Sequence, residues 1–360
     1  MISWPSMDAQ AEILRLLEKR PTSGAELARR LKISRQAVHV HLKQLVLSGR
    51  IVKTGSTRKA VYAPACGAHS LPGTVSFSRT FPLADLAEDM VFRDIERRTQ
   101  LARALPANVR HIIQFGFTEM LNNAIEHSRS ATCKVDFRLG PYACSFKVRD
   151  FGIGLFHNIA TKFAMAGEYE AAGELLKGKA TTMAERHSGE GIFFTSRAGD
   201  LVTLRSHRME VLFDTLKRDV AVRERRFTRG TEVRFEISRR SRRRIEAVFE
   251  EYAPASLDYR FEKTRVLVRM FRPEYMSRSE ARRMLARLDK FKDVELDFSR
   301  VKSLGQAFAD EVFRVYAAAH PGVTIRALNV SPALEPMIRH VVDNKNKELI
   351  DNNLTILPVE

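Results

Sequence analysis

Cysteine is scarce in this chain: three residues in 360, Cys66, Cys133 and Cys144, widely spaced, in no C-x-x-C pair and with no histidine at ligand spacing. That argues against a disulfide scaffold and a zinc site. Long apolar runs are lacking too. None approaches the roughly 18 to 20 residues that cross a bilayer, and the opening MISWPSMDAQAE lacks the basic, apolar, small-residue order of a signal peptide. A cytoplasmic chain with no membrane partner is expected. Acidic residues are outnumbered, 43 against 60 Lys plus Arg, and the resulting +17 and pI near 10.1 suit a polyanionic partner. At about 150 residues per domain the length implies two or three domains, and a 44% hydrophobic share can supply each with a core.

The excess charge is concentrated at one end, where residues 1–65 carry +8 of the +17. Ile13, Leu14 and Leu17 mark one helical face. Ser23 followed by Glu26 reads as a capping box opening a second helix, with Leu27 and Leu31 inward. A third helix begins at Ser34, with Val38, Leu42 and Leu45 on one stripe, Arg35, Gln36, His39 and Lys43 away from it, and Gly49 as the stop. RIVKTG and TRKAVY then read as two strands around Gly55-Ser56. Over about 60 residues this resembles a winged helix-turn-helix. The resemblance implies that Arg35, Gln36, His39 and Lys43 face the major groove of double-stranded DNA, with Arg58 and Lys59 on the wing near phosphates.

Residues 66–80, rich in Gly, Ser and Pro, read as a linker. From Asn108 the stretch NVRHIIQFGFTEMLNNAIEHS is helical, after which CKVDFRL and CSFKVRD alternate as strands around Gly140-Pro141. An α+β sandwich over 81–238 is expected, then a basic connector over 239–255 whose SRRSRRR run reads as solvated surface before a short helix at Ile245 and Val248. Alternating strands and helices over 256–360 indicate a further α/β unit.

The chemistry-bearing residues cluster in the middle segment. Glu119 and Asn123 stand four apart and share a helix face. Asp150-Phe-Gly152-Ile-Gly154 ends an alternating strand, Ser188-Gly189-Glu190-Gly191 opens an apolar stretch, and Gly230-Thr231 precedes the strand EVRFEI. In this order and spacing they resemble the GHKL ATP-binding superfamily, which includes DNA gyrase, the ninety-kilodalton heat-shock chaperones, histidine kinases and MutL proteins. Glu119 to Ala124 looks like its N box, Asp150 to Gly154 its G1 box, and Gly189 to Gly191 its G2 box. The resemblance implies a GHKL α/β sandwich (Bergerat fold) that binds ATP and Mg²⁺. Asp150 would accept from the adenine amino group, where guanine carries a carbonyl instead, and Gly152 and Gly154 would let backbone approach the nucleotide. Thr231 would offer a hydroxyl, Asn123 a neutral oxygen for Mg²⁺, and Glu119 a carboxylate for the attacking group. Between the G1 and G2 boxes lies the position of the family's ATP lid. There Gly178 reads as a hinge, and Lys177, Lys179, Arg186 and His187 could reach phosphate. Gly189 and Gly191 would present backbone amides at a helix start.

LDFSRVKSLGQAFADEVF resembles the STAS-like domain of unknown function, and more distantly the STAS fold of anti-sigma-factor antagonists. Those antagonists carry an acceptor serine in a turn that here reads Leu304-Gly305-Gln306-Ala307, so phosphorylation in cis is not expected and binding of an unidentified protein is. Structural roles for Asp297 and Asp310 weigh at least as much as a site. The architecture implies a multidomain transcriptional regulator: a winged helix, a GHKL nucleotide switch and a STAS-like domain. A serine/threonine kinase of the anti-sigma type and a dimerising ATPase clamp are the alternatives. Turnover of ATP and homodimerisation stay open at this stage.

Overall fold

A computed structural model describes residues 6–47, 51–54, 60–64, 74–179, 190–258, 260–270, 274–343 and 354–358. The N-terminal unit comprises α1 (Ser6–Lys19), β1 (Thr22–Ser23), α2 (Gly24–Leu31), α3 (Arg35–Leu47), β2 (Ile51–Thr54) and β3 (Val61–Pro64). Ser23 caps α2 by accepting from the Glu26 amide at 3.3 Å, and Lys32, in the left-handed region, ends that helix. β2 and β3 pair antiparallel with Ile51 opposite Pro64, and β1 joins the other edge of β3. Ile13, Leu17, Leu27, Val38, Leu42, Leu45 and Ile51 close a core of their own. Each such side chain contributes about 1.5–3 kcal/mol by leaving water. Gly49 and the Gly55-Ser56 turn lie outside the described residues.

The middle segment is a five-stranded antiparallel sheet of β4 (Val75–Pro82), β5 (Thr132–Leu139), β6 (Ala143–Asp150), β7 (Leu201–Asp214) and β8 (Asp219–Ser238), in the order β4-β5-β6-β8-β7. Helices α4 (Glu88–Thr99), α5 (Leu101–Ala104) and α6 (Ala107–His127) separate the first two strands. After β6 come α7 (Leu155–Lys162), α8 (Glu168–Lys177) and α9 (Gly191–Ala198). One face is greasy. Cys133, Val135, Phe137, Cys144, Phe146, Val148, Val233, Phe235 and Ile237 point inward, as strand alternation requires. Phe146 stacks on Phe235 at 4.8 Å, and Phe117 of α6 meets Phe146 edge-on at 5.5 Å. Gly116 permits this approach, since a Cβ there would stand 3.1 Å from Thr195 Cγ2. The opposite face is polar, crossed by pairs such as Lys147–Asp136 at 2.9 Å.

Two sequence expectations need correction. Residues 75–80 of the expected linker are strand, because β4 begins at Val75 and pairs along its length with β5. As an edge strand it buries only Phe77 and Phe81, so its alternation was faint. The SRRSRRR run is not simply solvated either. Arg239 donates to the Gly140 and Ala104 carbonyls, and Arg243 to those of Ala198 and Gly199 and to Asp200. The run thereby pins the sheet's end to α5 and α9 before α10 (Ile245–Tyr252).

The C-terminal unit has a parallel sheet of order β14-β13-β11-β9, from β9 (Lys263–Leu267), β11 (Asp293–Asp297), β13 (Thr324–Val330) and β14 (Leu354–Pro358). β10 (Glu274–Tyr275) and β12 (Ser303–Leu304) form a small separate pair. The crossovers are α11 (Arg278–Leu285), then α12 (Gln306–Asp310) running through a π-helical stretch, Glu311–Tyr316, into α13 (Ala317–Ala319), then α14 (Glu335–Asp343). Ser277 and Glu280 complete a capping box at α11. This unit shares one continuous core with the middle segment: Phe261 meets Phe193 at 4.6 Å, Phe194 at 5.1 Å and Phe291 at 5.5 Å.

Candidate functional site

The alternation that buries Cys144, Phe146 and Val148 also carries Asp150 inward, so a carboxylate ends an otherwise apolar row and is only 5% exposed. On β8 the parity of Val233, Phe235 and Ile237 likewise turns Thr231 to that face. β6 and β8 pair Arg149 with Glu232, so the next step sets Asp150 beside Thr231. Ser206 of β7 lies opposite Thr231, fully buried, its hydroxyl without a partner among the described residues. Three strands thus contribute a polar row, Asp150, Thr231 and Ser206, at one end of a greasy sheet. Asp150 Oδ1 accepts from the amides of Gly152 at 2.9 Å and Thr231 at 3.1 Å. Burial pushes its carboxyl above the ordinary carboxylate range, and those donors oppose the rise without cancelling it.

The loop after β6 is moulded around this row. A Cβ on Gly152 would stand 1.7 Å from the Ser128 carbonyl oxygen, which accepts from the Ile153 amide at 2.9 Å. No side chain fits there, and the end of α6 is stitched to the loop. Gly154 has φ +83°, and a Cβ on it would meet the Ser206 hydroxyl and His207 Nε2, each at 2.7 Å. Thr231 Oγ1 accepts from the Leu155 amide at 2.9 Å, fixing the start of α7. Gly230, at φ +75°, passes so close to Asp150 that a Cβ would stand 2.6 Å from Oδ1.

Glu119 and Asn123 occupy successive turns of α6, both half-buried. A Cβ on Gly191 would stand 1.9 Å from Glu119 Oε2, so this carboxylate rests against the first residue of α9. A negative charge at a helix N-terminus is stabilising by roughly 0.3–1 kcal/mol. The Asn123 carboxamide makes no hydrogen bond among the described residues. Gly189, Arg186 and His187 lie outside those residues.

Lys177 and Lys179, expected on phosphate, are engaged elsewhere. Lys177 is 3% exposed; its Nζ donates to Glu174 at 3.1 Å and to the Ala286 carbonyl at 2.8 Å, in the C-terminal unit. Burial lowers its pKa, with Glu174 opposing. Lys179 Nζ donates to the Lys290 carbonyl at 2.9 Å and lies 4.8 Å from the Phe291 ring centre. Gly178 is a close approach, not a loose hinge: at φ +87° a Cβ would stand 2.7 Å from Phe261. The physical reason is shared: the C-terminal unit packs on the end of α8 and occupies these groups.

Arg35, Gln36, His39 and Lys43 are exposed on α3, while Val38, Leu42 and Leu45 are buried. Arg58 and Lys59 lie outside the described residues. In the C-terminal unit, Asp297 accepts from the Ser299 amide at 2.9 Å and Asn329 Nδ2 at 3.0 Å, while Asp310 pairs with Arg278 and Arg314. A Cβ on Gly305 would stand 2.8 Å from the Met276 Cα and carbonyl oxygen. That packing has no room for a serine. Sequence reasoning missed Ser206, an uncharged residue in phase with the buried Val202 and Leu204, and His207, where the register of β7 with β8 shifts and the alternation breaks.

Comparison with known proteins identifies the two ends. The sequence model of a family described as HTH domain matches residues 9–57, and that of a STAS-like domain of unknown function matches residues 280–334. No GHKL family is matched. No curated protein matches the chain. The chain is therefore multidomain, with an N-terminal HTH element that speaks for a DNA-binding regulator and a STAS-like unit at its other end. Among the described residues no helix is long and apolar enough to cross a membrane.

Proposed function

We propose that the chain is an ATP-responsive, DNA-binding transcriptional regulator, in which a GHKL-type nucleotide site in the middle segment links the winged helix to the STAS-like unit. The observation that carries this reading is the buried Asp150, held by the Gly152 and Thr231 amides beside a loop whose glycines admit no side chain. An ionisable group in an apolar register is costly in the ligand-free protein, and a ligand donor that completes its hydrogen bonding offsets that cost. Ser206, a buried hydroxyl without a partner among the described residues, fits the same cradle.

Asp150 orients the adenine through its second oxygen, and Thr231 holds the loop that covers it. Asn123 supplies a neutral oxygen toward Mg²⁺. The α9 N-terminus, where the Glu119 carboxylate now rests, is an anion-binding end suited to phosphate. ATP with Mg²⁺ supplies a transferable phosphoryl group, and Glu119 is the carboxylate placed to accept a proton from an attacking water or hydroxyl. The test uses the full chain on duplex DNA in a mobility-shift assay. ATP should change the DNA affinity and GTP should not; indifference to ATP would overturn the link. Incubation with γ-labelled ATP and lysate separates the remaining chemistry: free phosphate marks an ATPase, label on a protein the kinase alternative, and neither a sensor.

A further inference from the structure

We propose that His157, Glu168 and His207 form a binding site for one first-row divalent transition-metal ion, with Zn²⁺ as its representative, bracing α7 and α8 against β7. These residues come from three elements: His157 from α7, Glu168 from the first turn of α8, and His207 from β7 where its register with β8 shifts. One donor atom from each lies within 4.8 Å of the others, and among the described residues this is the group that converges in this way. Two imidazoles and a carboxylate are a zinc donor set, with a fourth position left for water. Metal–ligand bonds of about 2.0–2.2 Å at tetrahedral angles put ligand atoms about 3.3 Å apart. The widest separation must therefore contract by about 1.5 Å, within the reach of rotamer changes in exposed and half-buried side chains.

His207 is built into position. Its backbone is left-handed, φ 49°, at the register shift between Ser206 and Met209. A non-glycine residue is held there against its backbone preference, and register breaks beside sites re-aim side chains. Nδ1 lies 2.5 Å from Glu168 Oε1, and its ring centre 5.6 Å from that of His157. Phe227 packs against the ring at 5.0 Å. In the metal-free protein the short Nδ1–Oε1 contact holds a proton between two ligand atoms. A metal ion between the two atoms takes the place of that shared proton and opens the pair by under 1 Å. Because His207 Nε2 also lies against Gly154, the brace reaches the loop after β6. The proposal does not depend on the nucleotide reading, because the metal alone is the probe.

The full chain, stripped with a chelator, is titrated with Zn²⁺ against a chromophoric competitor, and with Co²⁺ for the visible bands of a tetrahedral site. One equivalent per chain is expected, with a rise in melting temperature. His157→Ala, at an exposed position where folding should survive, is expected to weaken binding at least tenfold and to remove the cobalt bands. Glu168→Gln keeps the side-chain shape and should also weaken it at least tenfold. Equal Zn²⁺ affinity and stoichiometry in wild type and both variants, or no binding by the wild type, would overturn the proposal.

Discussion

Replacing Asp150 by Asn separates its cost to the fold from its use in recognition. Asn keeps an oxygen for the Gly152 and Thr231 amides but replaces the second carboxylate oxygen with an NH₂. That group confronts the adenine amino group donor to donor. Hydrogen bonds to charged groups are worth about 1.5–3 kcal/mol, so the ATP dissociation constant should rise by roughly 10- to 100-fold. With ATP at about 100 times the wild-type constant, linkage stabilises the wild type by about 2.7 kcal/mol, against about 0.4 kcal/mol for a variant weakened 100-fold. At about 2–4 °C per kcal/mol for a unit of 150–250 residues, the melting shift falls from about 5–10 °C to about 1 °C. Without nucleotide the sign reverses. The folded-state pKa of Asp150 is raised by burial, so its contribution to stability is present in full below the unfolded carboxylate pKa and is lost as pH rises through the folded value. Neutral Asn escapes that loss, worth about 1.4 kcal/mol for each unit by which the pKa is raised. The ligand-free variant should therefore melt higher than the wild type at neutral pH, and the gap should close on acidification. Scanning calorimetry from pH 3 to 8, with and without ATP, reads both effects. An undiminished ATP shift would refute the adenine role, and a variant less stable at neutral pH would refute the burial argument.

Arg35→Ala should lower affinity for duplex DNA and relax sequence preference. The wild-type affinity itself should fall by an order of magnitude or more between 50 and 200 mM salt, as read by mobility shift, if several phosphates are neutralised. Glu174→Ala leaves Lys177 buried without its carboxylate partner and removes the Arg287 contact at 3.1 Å. A cost of about 3–5 kcal/mol is expected in denaturant titration, and a change under 1 kcal/mol would mean that the ammonium escapes to water. Gly305→Ser drives a Cβ into the Met276 backbone and should cost about 1–3 kcal/mol. The full wild-type chain incubated with Mg-ATP should carry no phosphate on Ser299 or Ser303 by mass spectrometry.

What could be read from the sequence followed from local periodicity. The Cys144–Phe146–Val148 alternation set the strand and made Asp150 conspicuous as a charge in an apolar register. The α3 stripe and the Ser23 cap were equally local. What escaped was non-local or broke its own period. Lys177 and Lys179 looked like phosphate ligands because their carbonyl partners, at Ala286 and Lys290, lie more than a hundred residues along the chain. Ser206 keeps the register of Val202 and Leu204 and carried no charge to mark it, while His207 was hidden by the register shift that follows. The scarcity of cysteine argued against a zinc site and could not register His157, Glu168 and His207, whose numbers show no ligand spacing.

Those non-local contacts define how the units are joined. Residues 155–179 leave the loop after β6 under the hold of Thr231 and end buried against the C-terminal unit. Midway, Arg287 lies 3.6 Å over the Phe163 ring and pairs with Glu174. The Lys177 carbonyl accepts from Thr264 Oγ1 at 2.5 Å, in β9 itself. A lid closing over the loop after β6 as a rigid α7–α8 unit would have to break these contacts or carry the STAS-like unit with it. A partner that holds the STAS-like unit in one arrangement must then alter the free energy of that closure. By linkage, a ligand that drove that closure would alter such a partner's affinity by the same factor. The packing of Phe261 on Phe193 and Phe194 is one more contact that such a closure would have to break or carry along.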